Sequence, residues 1–137
     1  MVVVQLCGGL GNQMFGYALY LKLREMGREA KIDDFTCYGP GERPRQLSIF
    51  GLDYERATKK EYEALTDSCM RIDHRIRRKL FGRKSLYYRE KSANFDPAVL
   101  QKDPAVLQGY FQTEKYFANI EAQVREAFVF RNLKKDE

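Results

Sequence analysis

The sequence predicts an α/β fold in which helices flank a parallel sheet, and three observations carry that prediction. An apolar run, Val2-Val3-Val4-Gln5-Leu6, passes through a glycine-rich turn into a helical stretch over residues 12–26. Glu29-Ala30-Lys31-Ile32-Asp33 then reads as a second strand, completing a strand–helix–strand unit that implies parallel pairing. Farther on, Ala105-Val106-Leu107-Gln108-Gly109-Tyr110-Phe111 has the character of another core strand.

The elements follow in order. Asn12 is the expected N-cap of the first helix, and Gly27 suits the position just past its end. Met14, Phe15, Ala18, Leu19, Leu21, Leu23 and Met26 make that helix apolar enough to pack on a sheet. Gly39-Pro40-Gly41 and Pro44 mark a loop over 36–46. Leu47, Ile49, Phe50 and Leu52 form a short apolar patch around Gly51. Thr58 and Glu61 have capping-box spacing for a helix through Leu65. Ile72, Ile76 and Leu80 recur at four-residue spacing, predicting an amphipathic helix. Leu86-Tyr87-Tyr88 reads as a strand, and Asp96-Pro97 as the start of a short helical turn. Thr113-Glu114 leads into a predicted helix through about Phe128.

The 137-residue chain is one domain with room for a core, and 44% hydrophobic residues beside 31% charged ones is a soluble globular composition. No apolar run approaches the length that crosses a bilayer, and no basic stretch precedes the first strand, so a secretory leader is not expected. Cys7, Cys37 and Cys69 form an odd set without a C-x-x-C pair. They are expected to be reduced thiols, with the cytosol as the compartment. His74 is the sole histidine, which disfavours His-based metal sites and most triads.

The turn at Gly8, Gly9 and Gly11 lets the backbone reverse sharply and lie close to a ligand. The following helix aims its unpaired N–H groups and the positive end of its dipole at the same place, which suits an anion. Three readings stay open on these residues alone. One is a structural turn. Another is a dinucleotide site, with Asp33 or Asp34 as the downstream carboxylate, although Met14 occupies the position of the third glycine. The last is a sugar-nucleotide or glycan site, in which the Asn12 and Gln13 amides offer donors and acceptors.

Two longer blocks narrow the choice. Gly8-Gly9-Leu10-Gly11-Asn12-Gln13-Met14-Phe15-Gly16-Tyr17-Ala18 resembles the GGLGNQMFQYA signature of the alpha-1,2-fucosyltransferase family (glycosyltransferase family 11), departing at Gly16. Leu107-Gln108-Gly109-Tyr110-Phe111-Gln112-Thr113-Glu114-Lys115-Tyr116-Phe117 resembles the family's second block, and Arg45-Gln46-Leu47 leading to Phe50-Gly51-Leu52 also fits. The resemblance implies a Rossmann-like lobe of a two-lobed GT-B transferase, spanning residues 1–131 and followed by a polar tail, 132–137. It implies inverting, metal-independent transfer of fucose from GDP-fucose to O2 of a galactoside glycan. The substrate-binding residues expected are Gly8, Gly9, Leu10, Gly11, Asn12, Gln13, Tyr110 and Gln112. Asn12 and Asp33 are the catalytic candidates, and neither a cofactor nor a metal is expected.

The family's donor-binding H-x-R-R-x-D segment has no counterpart here. His74-Arg75-Ile76-Arg77-Arg78-Lys79 shares its letters but is shifted by one. The donor lobe is therefore expected to be absent, the isolated chain inactive, and an uncovered lobe interface able to self-associate. Two alternatives stand beside this reading: a non-catalytic glycan- or partner-binding module, and a nicotinamide-dependent domain.

Arg71, Arg75, Arg77, Arg78, Lys79, Arg83 and Lys84 concentrate the net charge of +5. Residues 71–84 form either a solvated face or a contact for an anionic membrane surface, giving a cytoplasmic protein peripheral to the inner face of the membrane. Without interleaved aromatics to stack on bases, nucleic acid is not an expected partner.

Overall fold

Strand β1 is Val2–Gln5, and every residue in it is buried. It lies at the centre of a parallel sheet because both of its faces are covered. β2, Ala30–Asp33, pairs with it in register, Val2 opposite Ala30 and Gln5 opposite Asp33. β4, Ala105–Gln108, flanks its other side, and β3, Tyr87–Arg89, completes the order β2-β1-β4-β3. This computed structural model describes residues 1–131; the expected tail, 132–137, lies outside the described residues. The fold is α/β, with a four-stranded all-parallel sheet flanked by helices, as a Rossmann-like domain requires.

Helix α1, Leu10–Glu25, covers one face of the sheet. It begins two residues before the predicted start, with Gly9 at the N-cap in extended backbone. Asn12 is no cap: Gln13 N–H already donates to Gly9 O at 3.1 Å. The helix approaches β1 closely at Gly16, where a Cβ would stand 2.4 Å from Leu6 Cδ2. Gly16, not position 14, thus supplies the close helix–strand contact. On this face Leu19, Leu23, Ile32, Phe50, Leu107 and Tyr116 form the main core. Val3, Ala57, Leu65 and Val106 make a smaller cluster on the opposite face.

Helix α2, Lys59–Thr66, covers that second face. Its capping box is formed as predicted: Glu61 N–H donates to Thr58 Oγ1 at 3.2 Å, and Thr58 N–H to Glu61 Oε2 at 2.8 Å. α3, Ile72–Phe81, follows, and α4 is Glu121–Ala127. Among the described residues no helix is long and apolar enough to cross a membrane.

Three further expectations are corrected. The helix predicted from Thr113 to Phe128 is two 3₁₀ turns, Glu114–Tyr116 and Ala118–Ile120, ahead of the short α4. Successive residues Tyr116 and Phe117 both bury, and Phe117 leaves helical backbone (φ −138°) to allow it. The strand predicted over 105–111 stops at Gln108, because Phe111 turns into the left-handed region (φ 48°). Cys7 and Cys37, expected as free thiols, form a disulfide, and Cys69 alone is free. Both partners follow adjacent parallel strands, so their loops meet however far apart they are in sequence. That pairing removes the ground on which a reducing compartment was expected.

Candidate functional site

An all-parallel sheet sends every strand-following loop to one edge, where ligands of such folds bind. Here the loops after β1, β2 and β4 meet there. Gly8 has φ +79°, a backbone that side chains rarely adopt, and a Cβ on it would lie 2.5 Å from Asn12 Nδ2. Gly9 and Gly11 differ: nothing lies within 4 Å of where their Cβ atoms would stand. Gly8, Gly9 and Leu10 are half-buried and Gly11 is exposed, so the turn lies at the surface. No side chain caps α1, and no acidic residue occupies its first turn. Its N–H groups and positive dipole end are therefore open to an anion.

Beside this turn lies the loop after β4. Glu90 holds it, its carboxylate accepting from Tyr110 N–H at 2.8 Å and from Phe111 N–H at 3.2 Å. The loop presents Tyr110 and Gln112 outward, both exposed. Gln112 Nε2 donates to Asn12 Oδ1. Two predicted site residues 100 positions apart are thereby in contact.

Other predicted residues lie inside the fold. Gln13 is 1% exposed, and its whole amide is engaged. Nε2 donates to Gly8 O and to Pro44 O, both at 3.0 Å, while Oε1 accepts from Gln46 N–H at 2.9 Å. It ties the 44–46 loop to the glycine turn. Asp33, expected as a catalytic carboxylate, is fully buried. Its Oδ1 accepts from Phe35 N–H and Thr36 N–H, and its Oδ2 from Gln5 Nε2. Gln5 in turn accepts from the Tyr87 hydroxyl at 3.0 Å. These contacts turn Asp33 away from the turn's outer surface and make it a fastener of the strand ends.

Its neighbour Asp34, by contrast, lines a pocket beside the turn. A cavity of about 280 Å³ is bounded by Leu6, Gln13, Asp34, Arg45, Leu47, Ser48 and Tyr54. Asp34 Oδ1 accepts from Arg56 Nε and Nη2 at 3.0 and 2.8 Å, and its Oδ2 accepts from the Tyr54 hydroxyl at 2.9 Å. Arg45 Nη1 stands 3.8 Å from the same carboxylate. Burial, then the hydrogen bond to Asp34, pushes the Tyr54 hydroxyl up to about 12. Burial and the Asp34 charge push Tyr38 up to about 12 as well. Both phenols thus remain protonated donors at neutral pH. Tyr54, Arg56 and Glu90 carry no local sequence signal; each acts through a partner 20 or more positions away.

A larger cleft of about 790 Å³ lies between α2 and α3, and none of the glycine turn lines it. Among the described residues no His, Cys, Asp and Glu side chains cluster in a way that could hold a metal ion. Comparison of the chain with protein-family models, curated proteins and solved structures finds no match.

Proposed function

We propose that this chain is the acceptor-side lobe of an alpha-1,2-fucosyltransferase, holding a galactoside and the diphosphate of GDP-fucose at the turn after β1. The observation that carries the reading is the contact of Asn12 with Gln112, which joins the two family-like blocks at the uncapped start of α1. Gly11 adds support. A glycine in a helix costs about 0.5–1 kcal/mol against alanine, and here it leaves open space that a ligand can use.

In this reading the acceptor O2 bonds to the anomeric carbon of fucose as the bond to the diphosphate oxygen breaks, and the proton of that hydroxyl passes through solvent to the released diphosphate. Negative charge gathers on the departing diphosphate. The N–H groups of Gly11 and Asn12, with the dipole of α1, meet that charge without reorganising. Asn12 and Gln112 offer amides to sugar hydroxyls. Asp33 takes no part as a base, since its carboxylate is occupied inside the fold. That same occupation favours a second reading, a glycan- or partner-binding module without catalysis.

The test is amide NMR titration of the chain with a β-galactoside, GDP-fucose and NAD. The first two are expected to shift residues 8–12 and 110–112, and NAD to shift none. Asn12→Ala is expected to weaken the sugar ligands about tenfold, the equivalent of one hydrogen bond of about 1.4 kcal/mol. Shifts with NAD alone, or none near the turn, defeat the proposal. Fucose transfer on adding a polypeptide that carries the H-x-R-R-x-D segment separates the transferase lobe from the binding module.

A further inference from the structure

An amphipathic helix ordinarily turns its apolar stripe inward. Helix α3 is mounted the other way round. Its charged side is fastened to the body: Arg77 Nη2 donates to Asp67 Oδ1, and Arg78 Nη1 donates to Asp67 O at 3.2 Å. Asp67 is buried at the end of α2, and its Oδ2 also accepts from Lys84 N–H at 2.8 Å. The apolar side faces solvent, with Ile72 72%, Ile76 55% and Leu80 69% exposed. Arg75 and Lys79 flank this row, and together with Ile72 and Ile76 they line a shallow groove. No carboxylate lines that groove, and among the described residues neither cation has an acidic partner.

The geometry points to a bilayer surface containing anionic lipid as the occupant of this face. Interfacial helices bind with just this pairing, apolar side chains sunk to the acyl boundary and cations at the headgroups. The choice of lipid rests on charge complementarity. A second copy laid on the same face would bring two pairs of uncompensated cations, Arg75 and Lys79, toward each other, whereas phosphate-bearing headgroups neutralise them. The ion pairs to Asp67 keep the helix rigid and its row outward before any membrane is met, so little ordering accompanies docking. The inference stands apart from the glycan reading, since it uses no residue of the turn.

Cosedimentation of the 137-residue chain with vesicles tests it. One set is phosphatidylcholine alone, the other phosphatidylcholine mixed with phosphatidylserine. The chain is expected to sediment with the mixed vesicles only, and less as salt rises. Arg75→Gln with Lys79→Gln is expected to lower partition about 30-fold, at about 1 kcal/mol per cation near the surface. Ile76→Ser with Leu80→Ser should lower it too. These side chains are exposed, so an unchanged circular dichroism spectrum is expected for both double variants. Equal sedimentation with both vesicle types, or with neither, overturns the proposal. So does a doubled mass in light scattering that Ile76→Ser abolishes while vesicle binding is absent, which assigns the face to a second copy.

Discussion

Helices α1 and α3 are positioned by opposite means. α1 buries Tyr17, Ala18, Leu19, Tyr20 and Leu23, and the main core sets its orientation. α3 buries none of its residues and is oriented by one residue, Asp67, whose carboxylate accepts from Arg77 and whose backbone carbonyl accepts from Arg78. Burial aligns a helix by summing many weak contacts. An ion-pair anchor aligns it through a few directional ones and leaves the apolar side unused. The contrast separates two tasks within one small fold. The α1 side gives the glycine turn a rigid base, and the α3 side displays a surface.

Single truncations sharpen that contrast most. Leu19 is wholly buried in the main core, so Leu19→Ala is expected to destabilise the chain by about 2–5 kcal/mol in urea unfolding. Ile76→Ala removes an equally apolar residue from α3, where 55% of it already meets water. It is expected to change stability by less than about 0.5 kcal/mol. Similar losses at the two positions would mean that α3 buries its apolar row after all.

The next effect tests the turn itself. The Cys7–Cys37 bridge closes a loop of 30 positions in sequence and ties the segment after β1 to that after β2. Cys7→Ser with Cys37→Ser is expected to cost about 3.6 kcal/mol, chiefly by freeing the unfolded chain. Amide exchange should rise at residues 7–12 and 34–38 and stay unchanged along α3. An equal rise along α3 would show that its position depends on the turn as well as on Asp67.

Legibility in the sequence followed the range of the interaction concerned. The βαβ unit, the Thr58–Glu61 box and the strand that starts at Ala105 come from neighbours in the chain, and each was readable from periodicity and capping chemistry, although the end of that strand, read at Phe111, was not. The strand–turn–helix around Gly8 was readable for the same reason. What escaped was whatever depends on a distant partner. Gln13 looked like a ligand donor until the 44–46 loop folded over it, and Asp33 looked like a base until Gln5 and two backbone N–H groups claimed it. The disulfide depends on strand register, and the outward mounting of α3 depends on Asp67. Periodicity marks the two sides of a helix, but not which one a remote carboxylate draws inward.

The smallest global effect, and the most local, belongs to that carboxylate. The Arg77 guanidinium, then Lys84 N–H, holds the Asp67 carboxyl down at about 2, below the ordinary aspartate value of about 3.9. A folded-state value below the unfolded one means that the ionised form favours the folded state. That contribution is complete above about pH 4 and is lost as pH falls toward about 2. Protection of the Ile72–Phe81 amides, corrected for the intrinsic exchange rate at each pH, is therefore expected to fall across this window, ahead of α1. Asp67→Asn should show fast α3 exchange already at neutral pH, with no further change across the window, while α1 keeps its protection. If α3 and α1 in the native chain instead lose protection together as acid is added, the anchor is only one part of a single cooperative unit. The two helices would then differ in exposure but not in what holds them.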